Sequence, residues 1–171
     1  GEVDMLEETY LKIISSKTAE LFAAATKVGA ILSDAKSKEK DALEFYGRNL
    51  GLTFQIADDT LDYNSELKLF GKKIGQDFFE GKITLPIILL FQKLDNGEKI
   101  NLIKTFNKDK RTKEEFNNII SLIKKYKIIE DCYQKAQHYI NLASNSLSVF
   151  KDSKEKDIFK NLTSFSLSRN F

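Results

Sequence analysis

Between Phe54 and Asp62 the chain reads Phe-Gln-Ile-Ala-Asp-Asp-Thr-Leu-Asp, three carboxylates and a carboxamide among apolar neighbours. On a helix Gln55, Asp58 and Asp62 fall at i, i+3 and i+7 and share one face, with Asp59 at its edge. Carboxylates so placed repel one another, and near a C-terminal helix end the dipole disfavours them further. A hard cation with oxygen ligands relieves both costs. Magnesium, bound through one or two carboxylates, waters and substrate phosphates, fits this donor set. Taken alone, the string equally describes a solvated acidic turn that ends a helix.

The following segment adds the opposite charge. Lys72 and Lys73 lie between Gly71 and Gly75, and Lys82 follows Asp77 and Glu80. Acids and lysines around one loop can hold a metal diphosphate, the acids taking the metal and the lysines the phosphate oxygens. The bland alternative is a Gly-Lys surface turn with ordinary ion pairs, and for Lys73 that is the preferred reading.

Such groups need rigid elements behind them, and the periodicity supplies helices. Leu6, Tyr10, Ile13 and Ile14 recur at helical spacing, and Leu21, Phe22, Ala25, Val28 and Leu32 continue the pattern past Ser15-Ser16-Lys17-Thr18. Hydroxyls there compete for backbone groups and predict a bend. After a polar connector over 33–37, a second helix is expected from about Lys38 to Tyr63, burying Leu43, Tyr46, Leu50, Phe54, Ala57 and Leu61. Its Gly47 and Gly51 allow a neighbouring helix to approach closely. Asn64 to Gln76 reads as a loop long enough for function. Thr84-Leu85-Pro86 starts an apolar helix, with proline tolerated in the first turn. Further helices are expected over 100–106, from the Thr112/Glu115 capping box to Lys125, over 128–150 and over 154–168. The expected fold class is all-α, in a single helical domain over 1–171 whose motifs lie in 1–92 and whose helical tail is 93–171.

Composition bounds the alternatives. The chain has 171 residues, 42% hydrophobic and 30% charged, with one Pro and eight Gly, so breakers are few. A net charge of +2 without a dense basic stretch argues against nucleic acid. Lone Cys132 can form no internal disulfide. The longest apolar run, Ile83 to Phe91, is broken by Thr84 and Pro86 and falls short of a membrane span. A cytoplasmic helical protein is the expectation. The opening Gly1-Glu2-Val3-Asp4 without an initiator Met reads as a chain cut from something longer.

In order along the chain, F-Q-x-x-D-D-x-x-D, then G-K, then D-x-x-E-G-K-x-T-L-P resemble the trans-isoprenyl diphosphate synthases of the long-chain, octaprenyl-like kind. Ser16-Lys17-Thr18-Ala19 is similar to that family's K-T motif, and Gly1-Glu2-Val3 resembles its G-E-hydrophobic element. The strong match runs from Gly1 to about Leu90.

The resemblance implies the C-terminal half of an orthogonal helical bundle, and transfer of an allylic prenyl group to isopentenyl diphosphate. It makes Asp58 the principal Mg2+ ligand, with Asp59 and Asp62 holding ions or their waters. Lys17 and Lys72 contact the allylic diphosphate, Lys82 stands behind them, and Asp77 lies around a metal. Thr18, Gln55 and the carbonyl of Lys17 face the allylic cation, and Phe54 borders the prenyl chain. A homodimer of the full-length protein and a long-chain product, octaprenyl diphosphate, also follow from it. The departures matter as well. Met5 stands where the family often has Gln, and the first aspartate-rich motif and the isopentenyl diphosphate residues belong upstream of Gly1. A catalytic half and a subunit working only with a separate N-terminal half are both open. Arg169 matches the family's basic tail poorly, His138 reads as a surface residue and Cys132 as a core residue.

Overall fold

The computed structural model describes residues 6–64 and 74–168. Lys72 and Lys73 therefore lie outside the described residues, as do Gly1-Glu2-Val3, Met5 and Arg169. The elements are α1 (Glu7–Ile14), a π-helical turn (Ser15–Ala19), α2 (Glu20–Leu32), α3 (Ser37–Leu61), α4 (Gln76–Glu80), α5 (Leu85–Lys93), α6 (Asn96–Phe106), α7 (Lys113–Lys125), α8 (Ile128–Ser146) and α9 (Lys154–Ser168). A short 3-10 turn, Leu147–Val149, continues α8. Among the described residues there is no strand, so the all-α expectation holds. No helix among them is long and apolar enough to cross a membrane.

The chain folds into two compact units, each assembled from two stretches of sequence. The first contains residues 1–10 and 58–132. Its centre is α5, which buries Leu85, Pro86, Ile87, Ile88, Leu89 and Leu90 on all sides. A short helix apolar all round belongs in a core. Beside it the rings of Phe78, Phe79, Phe106, Phe116 and Tyr63 form a cluster of tilted and edge-to-face pairs, with centroids 5.3–6.3 Å apart. Such pairs add about 0.5–1.5 kcal/mol each beyond their buried area.

The second unit contains residues 11–57 and 133–171. Tyr46, Leu50, Ala143 and Leu147 make its core, with Phe22, Leu43, Phe150 and Phe159 packed around them. Here α2 lies directly on α3. A Cβ added at Gly47 would collide with the Thr26 hydroxyl and the Phe22 carbonyl, and one at Gly51 would stand 2.7 Å from Ala19 Cα. The close approach expected from these glycines is present, and Thr26 Oγ1 seals it by donating to the Leu43 carbonyl at 2.6 Å.

On α2 the large residues Leu21, Val28 and Leu32 are exposed, while Ala23 and Ala30 are buried. Ala23, Thr26 and Ala30, with Phe22, face inward on α2, and glycines on α3 leave room there for backbone against backbone. The bend expected at the serines is a π-turn, whose one extra residue per turn shifts the register between α1 and α2. Helix α6 begins at Asn96 rather than Ile100, since Asp95 and Glu98 form a capping box of their own. The Thr112/Glu115 box stands as expected.

Candidate functional site

In the second unit, Lys17 and Thr18 sit on the π-turn. Lys17 is exposed, which leaves its ammonium available to an anion. Thr18 Oγ1 donates to Gln55 Oε1 at 2.7 Å, so the two residues 37 apart in sequence are brought together. Phe54 is half-buried with its ring 5.6 Å from that of Phe22. A π-turn, rare and common at functional positions, is what turns Thr18 onto α3.

In the first unit the acids divide by exposure. Asp58 is exposed, whereas Asp59 and Asp62 are 6% and 3% exposed. Asp58 is therefore the acid open to solvent, and Asp59 turns inward. The reason is a donor invisible to local spacing: Tyr10 Oη on α1 donates to Asp59 Oδ2 at 2.8 Å. Burial raises the Tyr10 phenol well above its ordinary range, and the Asp59 charge raises it further, so this hydroxyl keeps its proton.

Asp62 accepts the backbone N–H of Gln76 at 3.1 Å and that of Asp77 at 2.8 Å, one on each oxygen. Its own carbonyl accepts the N–H of Gly75 at 2.9 Å. Three successive amides thus converge on one residue, fastening the start of α4 to the end of α3. Asp77 and Lys82 meet at 3.3 Å, and Lys82 also pairs with Glu80 at 2.7 Å. Its hydrogen bond to Glu80 chiefly raises the Lys82 ammonium, which stays charged. The phenol of Tyr63 is raised by burial and then by the charges of Asp62 and Asp77.

Among the described residues no three carboxylate, imidazole or thiol groups converge closely enough to enclose an ion by themselves. Magnesium asks for less, one or two carboxylates completed by waters and phosphate oxygens. Exposed Asp58 beside two carboxylates already held by hydrogen-bond donors fits that demand. Cys132 is fully buried and its thiol is pushed up to about 12 by burial, as suits a core residue. His138 is exposed, edge-on to the Tyr139 ring at 5.3 Å.

Sequence reading missed Tyr10 and Arg111. Tyr10 carried a faint signal, a polar tip on an apolar stripe. Arg111 carried none, because its partners are backbone carbonyls, those of Phe78 and Phe79 distant in sequence.

The family model for polyprenyl synthetase matches residues 1–123. The chain belongs to the polyprenyl synthetase family. It is 34% identical over 168 residues to the short chain isoprenyl diphosphate synthase of Methanothermobacter thermautotrophicus, covering 98% of this chain and 51% of that protein. With the octaprenyl diphosphate synthase of Haemophilus influenzae it shares 30% identity over 165 residues, 96% of this chain and 50% of the relative. Its backbone matches the crystal structure of polyprenyl synthase from Caulobacter crescentus complexed with calcium and isoprenyl diphosphate. There the TM-score is 0.93 at 34% identity, over 99% of this chain and 52% of that one. The chain spans about half the length of the curated relatives it matches.

Proposed function

We propose that this chain supplies the second aspartate-rich magnesium–diphosphate site of a prenyltransferase. The reaction joins isopentenyl diphosphate to an allylic prenyl diphosphate and builds a long-chain polyprenyl diphosphate, octaprenyl being the product the motifs favour. The observation that carries this reading is the acid cluster at the end of α3. There Asp58 is exposed, while Asp59 and Asp62 are buried and fixed by Tyr10 and by the amides of Gln76 and Asp77.

In this reading Asp58 is the direct ligand. Asp59 and Asp62 hold a further ion or its waters. Lys17, Lys72 and Lys82 take the oxygens of the allylic diphosphate. Magnesium, when bound, supplies the charge that stabilises the departing diphosphate. Thr18, Gln55 and the carbonyl of Lys17 present neutral oxygen dipoles, which steady an allylic cation without capturing it. Phe54 borders the growing chain. The isopentenyl diphosphate site, a homodimer and a separate N-terminal half belong to the whole enzyme in this proposal. The protein works in the cytoplasm.

Calorimetric titration of the chain with magnesium pyrophosphate tests the site. Asp58→Ala is expected to weaken binding by about ten-fold, the loss of one charge-assisted contact. Lys72→Ala should weaken it more than Lys73→Ala. Equal affinity for Asp58→Ala and the parent removes the metal-site reading. In a radiolabelled isopentenyl diphosphate assay, the chain alone should show no transfer, and adding an N-terminal half should restore it. Absence of rescue favours a non-catalytic subunit.

A further inference from the structure

We propose that Arg111, on the turn between α6 and α7, is a positioning residue for the diphosphate site. With Asp62 it clamps α4 at both ends and so fixes Asp77 and Lys82. The inference rests on the reading of those two residues as part of that site.

Helix α4 has five residues, far below the length at which a helix holds itself together in water. Its capping residues are Gly75 and Gly81, both left-handed, and neither has a side chain to close an end. Both ends are instead closed from a distance. Asp62 takes the N–H groups of Gln76 and Asp77 at the N-terminus. At the C-terminus, Arg111 Nε donates to the Phe78 carbonyl at 2.7 Å and Nη2 to the Phe79 carbonyl at 3.3 Å. A carboxylate on the first amides and a guanidinium on the last carbonyls are the signs the helix dipole favours.

The same guanidinium anchors α4 to a stable frame. Its Nη1 donates to the carbonyls of Phe106 and Lys108, at 3.1 and 2.7 Å, where α6 ends. Its plane lies 5.8 Å from the centre of the Phe106 ring. A Cβ on Gly81 would stand 2.9 Å from Arg111 Cζ, so the left-handed glycine is also the residue that admits the guanidinium. One planar fork bonding four carbonyls is a geometry that an ammonium cannot reproduce.

What the clamp holds is Asp77 and Lys82, which the proposed function places at the diphosphate site. The N–H of Lys82 donates to the Asp77 carbonyl at 2.9 Å, and the N–H of Gly81 to that of Phe78 at 3.0 Å. Their side chains meet at 3.3 Å. Releasing the C-terminal carbonyls of α4 frees this turn, and with it the direction of the Lys82 ammonium.

The test uses the whole chain with magnesium pyrophosphate as the probe. Arg111→Ala is expected to lose about ten-fold in affinity, the scale of a sub-ångström misplacement of binding groups. Amide hydrogen exchange at Gly81 and Lys82 should accelerate in the same variant. Millimolar guanidinium should restore both, which a general loss of stability would not permit, while Lys110→Met, one residue away, should match the parent. Parent-like affinity in Arg111→Ala, or lost affinity with unchanged exchange at Gly81 and Lys82, overturns the proposal. Should Arg111→Ala fail to fold, Arg111→Lys keeps stem and charge without the fork, and parent-like affinity there overturns it equally. If Asp58→Ala binds as the parent does while Arg111→Ala still accelerates the exchange, the site reading has failed and the clamp has not.

Discussion

In the unit built on α2 and α3, two backbones meet because side chains are missing at Gly47 and Gly51, and the Thr18–Gln55 bond follows from that closeness. In the unit centred on α5, helix α4 is held by charged side chains reaching for its backbone ends. The first device is steric and tolerates nothing larger. The second is electrostatic and fails by degrees.

The largest effect should come from breaking the steric device. Gly47→Leu forces a side chain into the Phe22 carbonyl and the Thr26 hydroxyl and should cost about 3 kcal/mol in urea unfolding, the upper range for overpacking. Gly29→Ala on α2, where a Cβ meets nothing within 4 Å, should instead be neutral or stabilise by up to about 1 kcal/mol. Similar losses in both would show that the contact between α2 and α3 is not what the glycines serve.

Next comes the buried carboxylate. Tyr10→Phe removes a donor from Asp59 and should cost about 2 kcal/mol, the range for a hydrogen bond to a charged group. A loss below about 0.5 kcal/mol would mean that Asp59 keeps enough donors without the phenol.

Alkali should sharpen the comparison. Tyr46 is pushed up to about 12 by burial, and Tyr10 and Tyr63 are raised as well. Below their ordinary value of 10.0 these phenols are neutral folded or unfolded, and their full contribution is present. Above it the unfolded chain gives up its protons while the folded chain keeps them, so stability falls as pH rises from there through about 12. Tyrosine absorbance followed alongside urea midpoints should show ionisation coinciding with unfolding. Free ionisation of all six tyrosines with the fold intact would contradict the burial of these three.

The smallest effects belong to local bonds. Thr18→Val and Thr112→Ala should each cost about 1 kcal/mol, the first from one hydrogen bond and the second from a helix cap. Lys125→Met, which removes an exposed partner of Glu98, should leave the urea midpoint essentially unchanged.

The sequence by itself determined the helices other than five-residue α4, because their signals are local: 3.6-residue periodicity, proline in a first turn, and Thr112 facing Glu115 three residues on. It also determined where the family's motifs lie, and that Gly47 and Gly51 mark a close approach, since four residues is one turn of one face. The start of α6 was there to be read in Asp95 and Glu98, a capping box as plain as its neighbour. Only the tertiary structure decided which of two adjacent acids turns inward. Asp58 and Asp59 differ by one helical step, and what separates them is a hydroxyl 49 residues away. It decided equally that Leu21, Val28 and Leu32 of α2 are exposed and that Asp62 holds Gln76 and Asp77. Arg111 became legible there too, since its partners are carbonyls common to every residue. Backbone groups bear no sequence signature, so the bonds they receive from distant side chains emerge only when the chain has folded.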